Sequence, residues 1–313
     1  MTTMTKPEHL LSIADLTREE IKALLSRALA FKTGKEPTQL PGRTLALIFE
    51  KPSLRTRVSF DVAMYQLGGH CLYLSPEEVS LGKRERVRDI AAVLSRYVDA
   101  IAVRTFAQEN VELLARHGSI PVINALTDEE HPCQALADFL TLLEHKGGPE
   151  GLTLAYIGDA NNCANSLLYT AALLGTHFRI ASPPGYQLNS QRVERAQEFG
   201  AKSGASIFLT EDPLEAAHGA DAIYTDVWTS MGQEQEQEVR RSVFAPYQVN
   251  QPLLDSANTG AIFLHPLPAH HGEEVAEGIL YAPCSVVFDQ AENRLHAQKA
   301  VLAALLERQG LKS

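Results

Sequence analysis

Paired cysteines, an excess of positive charge and long apolar runs are all missing from this 313-residue chain. Its four cysteines are far apart and form no Cys-x-x-Cys pair, so disulfides and structural zinc are not expected, and a reducing cytoplasm is the expected location. The net charge of −10 argues against nucleic-acid and membrane-surface partners, which favour basic proteins. No run approaches the roughly 18 to 20 apolar residues of a membrane span, and residues 1–16 lack the pattern of a secretion signal.

Hydrophobic residues make up 45% of the chain, and its length suits two domains of about 150 residues, each with its own core. A Gly- and Pro-rich stretch at 146–151 separates two series of alternating strands and helices. This alternation predicts an α/β protein with two doubly wound domains, 1–146 and 151–290, each with a central parallel sheet flanked by helices. Ligands of such sheets bind in a cleft beyond the carboxyl ends of the strands.

Periodicity places strands at 45–49, 70–74, 100–103, 120–124, 152–157, 178–181, 206–209, 222–225 and 261–264. Helices are predicted at 19–31, 53–67, 87–97, 131–145, 162–174, 190–202, 213–218 and 292–308. The polar stretch 80–85 is expected to be a loop.

The junction after the first strand carries the strongest functional signal. Ser53 follows Pro52 and precedes a helix whose spacing predicts an apolar face at Val58, Val62 and Tyr65. Free N–H groups and a partial positive charge at a helix start bind phosphate well, and Arg55 and Arg57 add cations of suitable shape. An ordinary Ser-capped helix with solvated arginines is the alternative.

Two further strand ends point to the same chemistry. His131 and Gln134 begin a second helix, with Pro132 at its first position, so both side chains can point off the leading end. Arg104 ends the buried strand 100–103, where a ligand would lie. A capping histidine and a surface arginine remain open as structural explanations.

The second half lacks the Gly-x-Gly-x-x-Gly fingerprint after its first strand, which disfavours a nicotinamide cofactor. The sequence there is Gly-Asp-Ala-Asn-Asn (158–162), and amide side chains suit a zwitterionic amino acid better. Asp226 follows another strand and can hold an ammonium group or simply cap its loop. The histidines near the last strand, His265, His270 and His271, match no usual zinc spacing and no Cys joins them, so no metal is expected.

Together these motifs resemble the aspartate/ornithine carbamoyltransferase family along nearly the whole chain. The family's phosphate loop, Ser-Thr-Arg-Thr-Arg, is matched by residues 53–57, and its His-Pro-x-Gln motif by residues 131–134. The segments Asp-Val-Trp-Thr-Ser-Met-Gly (226–232) and 158–162 resemble the ornithine branch in particular. Two residues depart from the pattern: Leu54 replaces the usual Thr, and Pro266 stands where many members of the ornithine branch have Cys.

The resemblance implies a carbamoyl phosphate-binding domain (1–146), to which the final helix (291–313) returns, and an ornithine-binding domain (151–290). The residues that it implies for carbamoyl phosphate are Ser53, Leu54, Arg55, Thr56, Arg104, His131, Gln134 and Arg294, and the catalytic ones among them are Arg55, Thr56, Arg104 and His131. Those implied for ornithine are Asn162, Asp226, Ser230, Met231, Pro266 and Leu267.

The implied reaction transfers a carbamoyl group to the side-chain amine of L-ornithine, giving citrulline and phosphate in arginine metabolism, with no metal and no organic cofactor. Aspartate, acetylornithine and putrescine remain alternative acceptors, and Pro266 slightly favours them. The resemblance also implies a homo-oligomer, a trimer or a multiple of trimers, in which Lys83 of the 80–85 loop reaches a neighbouring subunit's site. A solvated lysine is the alternative there.

Overall fold

The computed structural model describes residues 8–307. Its strands are β1 (Thr44–Phe49), β2 (His70–Leu74), β3 (Ala100–Arg104), β4 (Val122–Leu126), β5 (Thr153–Ile157), β6 (His177–Ala181), β7 (Ile207–Thr210), β8 (Ala222–Thr225) and β9 (Ile262–Leu264). Its helices are α1 (Arg18–Lys32), α2 (Leu54–Gln66), α3 (Pro76–Val79), α4 (Val87–Tyr97), α5 (Gln108–His117), α6 (Pro132–Lys146), α7 (Asn162–Leu174), α8 (Ser190–Ser203), α9 (Pro213–Ala217), α10 (Gln237–Phe244), α11 (Gln251–Asp255) and α12 (Val287–Leu306). Short 3₁₀ turns lie at Ile13–Asp15, Glu234–Glu236, Ala245–Tyr247 and Ile279–Tyr281.

The strands form two sheets, in the orders β2-β1-β3-β4 and β7-β6-β5-β8-β9. Every pairing within them is parallel. Helical crossovers connect successive parallel strands, because a tight turn cannot join them. The predicted fold class, two doubly wound α/β domains with central parallel sheets, is therefore confirmed. Between residues 8 and 307, no helix combines the length and the apolar character that crossing a membrane requires.

Contacts group the described residues into a first unit, 8–140 with 292–307, and a second unit, Thr141–Ala291. The core of the first unit packs apolar residues of β1 and β3 against α4 and α5, including Ile48, Ile101, Ile90 and Leu114. The core of the second unit packs β5 and β8 against α9 and α10, including Ile157, Ile223 and Phe244. Each unit therefore has its own core.

The last helix returns to the first unit, as predicted. Lys32 Nζ donates to Asn293 Oδ1 at 2.8 Å, and Arg27 Nη1 donates to Glu307 Oε2 at 2.9 Å. The helix begins at Val287, five residues earlier than the predicted start at 292. The part of that prediction beyond residue 307 lies outside the described residues.

One feature of α2 differs from the sequence prediction. The helix does begin after Ser53, but Val58 and Tyr65 are exposed, and its buried apolar residues are Phe60, Ala63 and Met64. Two apolar faces are present on this helix, and the one facing the sheet is the one that the sequence analysis did not choose. Helices α3, α5, α10 and α11 were also not predicted, and β4 lies two residues later than expected.

Candidate active site

Three neighbouring strands of the first unit end at one edge of the sheet. Phe49 at the end of β1 pairs with Arg104 at the end of β3, and Arg104 pairs with Leu126 at the end of β4. The segments beyond these ends are linked, because Glu50 N donates to Arg104 O at 2.8 Å and Thr105 N donates to Leu126 O at 3.0 Å. The candidate residues that follow β1, β3 and β4 therefore share one edge of the sheet, where such folds bind ligands.

The start of α2 is a capped helix N-terminus, the kind of structure that can bind an anion. Ser53 caps the helix: its hydroxyl oxygen accepts from Thr56 N at 3.3 Å, and its hydroxyl donates to Thr56 Oγ1 at 3.0 Å. The first N–H of the helical ladder is that of Arg57, which donates to Ser53 O at 3.2 Å. The N–H groups of Leu54 and Arg55 precede this ladder and belong to the positive end of the helix. The Leu54 side chain is exposed, so its backbone is the part that can serve a ligand.

The two arginines of this segment have different surroundings. The guanidinium of Arg57 lies 3.8 Å from the centroid of the Tyr73 ring, and the residue is exposed. Arg55 is half-buried, and this burial lowers the pKa of its guanidinium, which still stays protonated at neutral pH. Arg57 therefore has an aromatic partner, and Arg55 stays the predicted phosphate ligand.

Arg294 joins this edge from α12. Its Nη2 donates to Thr56 Oγ1 at 2.6 Å, and both side chains are buried. The contact links residues 238 positions apart in the sequence. The last helix therefore contributes a buried cation to the start of α2.

His131 is kept neutral by its surroundings. Its side chain is buried, and burial together with the positive charges of Arg294 and Arg104 holds the pKa of His131 well below its ordinary value. A neutral imidazole carries one N–H donor. Arg104, which is also buried, provides further fixed donors. The two arginines, Arg104 and Arg294, give the edge a local positive charge although the whole chain carries −10.

Gln134 is oriented by a neighbour on its own helix. Its Nε2 donates to Asp138 Oδ1 at 2.8 Å, one helical turn away, and both residues are buried. Its Oε1 is buried without a hydrogen-bond partner among residues 8–307. The amide therefore presents an acceptor, and a buried acceptor of this kind is costly unless a ligand donates to it.

Lys51 also lies at this edge, and the sequence analysis missed it. Its buried ammonium group forms an ion pair with Asp128, and lies 4.3 Å from the centroid of the Phe106 ring. The three residues follow β1, β3 and β4 in turn. The position of Lys51 just after a strand was the available signal, whereas its pairing with Asp128 depends on the folded sheet.

The second unit has a corresponding edge. Strands β5, β8 and β9 are neighbours, and Ile157 pairs with Thr225 while Tyr224 pairs with Leu264. The segments that follow them are 158–162, 226–232 and 265–268, which hold all the residues predicted for ornithine. The topology thus brings the predicted amino-acid site to a single sheet edge.

Asp226 and the start of α7 are directly connected. Asn161 caps α7, accepting from Cys163 N and Ala164 N, and its Nδ2 donates to Asp226 Oδ2 at 2.8 Å. The other carboxylate oxygen, Oδ1, accepts from Val227 N at 2.8 Å. Asp226 therefore does cap its own loop, and each oxygen still has a second lone pair for a ligand. Asn162, the first residue of α7, is half-buried beside it in the chain.

A buried arginine holds the 226–232 loop. Arg240 Nη1 donates to Asp159 Oδ2 at 2.8 Å and to Trp228 O at 2.9 Å. Burial raises the pKa of Asp159, while the ion pair with Arg240 opposes that rise. Farther along the loop, Ser230 N donates to Gln233 Oε1 at 3.0 Å, and Met231 is exposed. The sequence analysis did not single out Arg240, which ties two of the three segments together.

The segment after β9 has an unusual backbone. Leu267 has φ of +57°, in the left-handed region that branched residues rarely adopt, and it precedes a cis proline. Leu267 N donates to His265 Nδ1 at 2.9 Å, so the proton of this ring is on Nε2, which faces Glu274 Oε1 at 3.1 Å. Such strain is found preferentially at functional sites. Pro266, between them, is buried.

Lys83 lies on a surface turn that carries none of the other predicted site residues. It is exposed on the turn between α3 and α4, and its N–H donates to Ser80 O at 3.0 Å. The predicted loop at 80–85 is present, closed by Gly82 N donating to Glu85 O at 3.1 Å.

These observations describe an α/β protein of two units, with buried cationic residues at a sheet edge of the first unit and polar residues at a sheet edge of the second. Residues 8–144 match the family model described as "Aspartate/ornithine carbamoyltransferase, carbamoyl-P binding domain", and residues 150–305 match the "Asp/Orn binding domain" of the same family. The chain therefore belongs to the aspartate/ornithine carbamoyltransferase family.

Individual relatives agree with this assignment. The chain is 53% identical over 309 residues to an ornithine carbamoyltransferase from Anoxybacillus flavithermus, covering 97% of this chain and 98% of that one. It is 50% identical over 301 residues to the anabolic ornithine carbamoyltransferase of Pyrococcus furiosus, covering 95% and 96%. A solved structure of ornithine carbamoyltransferase from Pyrococcus furiosus superimposes with a TM-score of 0.94 at 49% identity, covering 97% and 98%.

Proposed function

We propose that this protein transfers the carbamoyl group of carbamoyl phosphate to the side-chain amine of L-ornithine, giving L-citrulline and phosphate. The observation that carries the proposal is the buried cluster of Arg104, Arg294 and neutral His131 beside the start of α2. Carbamoyl phosphate has a phosphate for the helix start and a carbonyl oxygen for the remaining donors. The near full-length identity to ornithine carbamoyltransferases supports the choice of substrates.

The phosphate would be held at the start of α2. In this proposal the N–H groups of Leu54 and Arg55, the hydroxyls of Ser53 and Thr56, and the guanidinium of Arg55 bind its oxygens. The replacement of Thr by Leu at position 54 removes a hydroxyl but keeps the N–H group. The exposed Leu54 side chain is consistent with a role for its backbone N–H group alone.

The carbamoyl group would lie against the other buried residues. Arg104, His131 and Thr56 donate to its carbonyl oxygen, Arg294 adds a further contact, and Gln134 Oε1 accepts from its NH2 group. The fixed orientation of the Gln134 amide supports this role, because Asp138 already occupies Nε2. The carbonyl oxygen gains negative charge when the amine attacks, so the donors stabilise the transition state more than the substrate.

Ornithine would bind at the sheet edge of the second unit. In this proposal Asn162, Asp226, Ser230 and Met231 fix its α-amino and carboxylate groups, and the carbonyl oxygens of Pro266 and Leu267 accept from the attacking amine. The strained backbone at Leu267 supports a functional role for this segment. Because Pro266 has no thiol, the backbone is the part of this segment that can contact the amine.

The reaction requires the amine in its neutral form. A new C–N bond forms to the carbamoyl carbon, the C–O bond to phosphate breaks, and the proton that the attacking amine loses passes to the departing phosphate. Phosphate is a good leaving group and the substrate amine is itself the nucleophile, so positioning and charge stabilisation can carry the step.

The acceptor is tested by comparing four amines as substrates. We expect rapid formation of citrulline from ornithine, and slower turnover of acetylornithine, putrescine and aspartate at equal concentration. The four products, citrulline, acetylcitrulline, carbamoylputrescine and carbamoylaspartate, are separated by chromatography. Faster turnover of any other amine would contradict ornithine as the substrate while leaving carbamoyl transfer intact, and no turnover of any amine would contradict both.

Arginine biosynthesis is the proposed metabolic setting, because a relative 50% identical is named as an anabolic enzyme. The cytoplasm is the proposed location, supported by four free cysteines that are spread along the chain. Cell fractionation with an activity assay checks the location.

We also propose that the protein is a homo-oligomer built from trimers, with Lys83 serving a neighbouring subunit. An exposed apolar stripe on α2, formed by Leu54, Val58 and Tyr65, supports an interface on the first unit. The exposed position of Lys83 on its turn is compatible with contact to another subunit. Light scattering should give a mass of at least three chains, whereas a fully active monomer would contradict the proposal.

A further inference from the structure

The loop that follows β9 brings three metal-binding side chains together. One ligand atom each from His270, Glu273 and Glu274 lies within 4.8 Å of the other two. The loop that carries them is tightly closed, because Gly272 N donates to Val275 O at 2.8 Å and Glu273 N donates to His270 O at 3.0 Å. The sequence argument against a metal considered the histidines alone and did not weigh these two carboxylates.

Glu274 presents a buried oxygen to this cluster. Its side chain is fully buried, and Oε1 accepts from His270 N at 2.6 Å and faces His265 Nε2 at 3.1 Å. The second oxygen, Oε2, has no hydrogen-bond partner among residues 8–307, and lies 3.8 Å from His270 Nδ1. A buried carboxylate oxygen without a donor is costly, so this atom favours a positive ligand.

The two carboxylate oxygens of Glu273 also have different partners. Oε1 accepts from Arg241 Nε at 2.9 Å and is also bonded by Arg241 Nη2. Oε2 faces His270 Nδ1 at 4.0 Å. Each glutamate is thus held by protein through one oxygen and directs the other toward the same imidazole nitrogen. Partners of this kind orient ligands in metal sites.

The distances fit one small ion better than direct hydrogen bonds. Separations of 3.8 and 4.0 Å exceed the roughly 2.7 to 3.2 Å of an N–H···O bond. Two ligand atoms bound tetrahedrally to zinc, each at about 2.0 to 2.2 Å, are about 3.3 to 3.6 Å apart. All three ligand atoms lie within 4.8 Å of one another, so a contraction of at most about 1.5 Å would close the cluster around an ion, and the half-exposed side chain of His270 has room to move.

We propose that His270 Nδ1, Glu273 Oε2 and Glu274 Oε2 bind one Zn²⁺ ion per chain. One imidazole and two carboxylates suit zinc better than Mg²⁺ or Ca²⁺, which prefer oxygen ligands alone. The exposure of His270 leaves the fourth position open to water. The two carboxylates balance the charge of the ion, and Arg241 and His265 keep their present partners. The proposal does not depend on the proposed function.

Calorimetric titration of the EDTA-treated full-length protein with zinc sulfate tests the site. We expect saturable binding of about one ion per chain, and Co²⁺ in its place should give a visible spectrum with nitrogen and oxygen ligands. The variants H270A and E273Q should weaken binding by about 10-fold or more. The matched control is H271A, because His271 is the adjacent histidine and its Nδ1 faces Glu277 instead. Circular dichroism checks that each variant is folded.

Several results would overturn the site. These are no saturable binding, equal weakening in H271A, or binding of Mg²⁺ or Ca²⁺ as tight as that of Zn²⁺. An intense sulfur-to-cobalt absorption would place the ion on a cysteine instead, and would also overturn it. Glu274 is left unchanged in these tests because its buried side chain also holds His265 and the loop backbone.

Discussion

Replacing His131 with alanine is expected to lower kcat by about 100- to 1,000-fold, the usual effect of removing one donor to a developing oxyanion. The imidazole is buried and neutral, so it donates a hydrogen bond whose strength is not reduced by water. Because the donor matters most when the carbonyl oxygen gains charge, the KM for carbamoyl phosphate should change much less than kcat. Steady-state kinetics with both substrates varied separates the two parameters.

His145 provides the matched control, since it lies near the far end of the same helix and its Nε2 is 2.9 Å from Asp289 Oδ2. We expect H145A to keep kcat within about twofold of the wild type, because it contacts none of the proposed site residues. A loss in H131A no larger than in H145A would exclude an oxyanion role for His131.

The pH dependence tests whether the neutral amine of ornithine is the attacking species. Burial, Arg294 and Arg104 hold the pKa of His131 well below its ordinary value of about 6.5, so the imidazole stays neutral at and above that pH. The amine of ornithine, with a pKa of about 10.4, has to lose a proton before it attacks. In wild type and H131A alike, kcat/KM for ornithine should therefore rise about tenfold per pH unit above neutrality. A flat profile from mildly acidic to alkaline pH would contradict direct attack by the neutral amine.

The sheet edges were predictable because parallel strands fix where their successors begin. Arg104, His131 and Ser53 all follow buried strands whose apolar runs are legible in the sequence, and parallel pairing brings these strand ends together. The same argument places Asp226 and Pro266 at one edge of the second sheet. The positions of these residues at the sheet edges were therefore predictable from the order of parallel strands, without knowledge of any side-chain contact.

The buried face of α2 was not predictable from spacing alone. Val58, Val62 and Tyr65 recur at helical intervals, and so do Phe60, Ala63 and Met64. A helix with two apolar faces gives two solutions, and only the packing against the sheet shows that Phe60 is buried while Tyr65 is exposed. Because exposed apolar patches often mark protein–protein interfaces, the exposed face of α2 supports the proposed oligomer.

Contacts between residues that are far apart in the sequence were likewise not predictable from it. No local pattern connects Lys51 with Asp128 or Arg240 with Asp159, because each pair is joined only by the folded sheet. Asp138 is different: it lies four residues after Gln134, so the i, i+4 rule for helices could have found this pair. The zinc proposal has a similar origin, since His270 and Glu274 are close in sequence but only the tight loop makes their ligand atoms converge.

Arg55 and Arg57 offer the sharpest test of how the phosphate is bound. Replacing Arg55 with alanine is expected to weaken carbamoyl phosphate binding by about 10- to 150-fold, or about 1.5 to 3 kcal/mol, because a charged hydrogen-bonding group to phosphate is lost. The change should be seen in the Kd of carbamoyl phosphate or of a stable analogue, measured by calorimetry. Arg57 is the same residue type two positions away, but its guanidinium lies over the Tyr73 ring.

The matched variant R57A should therefore bind carbamoyl phosphate within about fivefold of the wild type, since an exposed stacked cation contributes about 0.5 to 1 kcal/mol at most. Equal losses in the two variants would mean that the affinity comes from general positive charge rather than from a guanidinium at the start of α2. A loss confined to R57A would reverse the assignment, and the ring contact would have to break when the ligand binds. A loss confined to R55A is the result that the capped helix start and the half-buried Arg55 side chain predict.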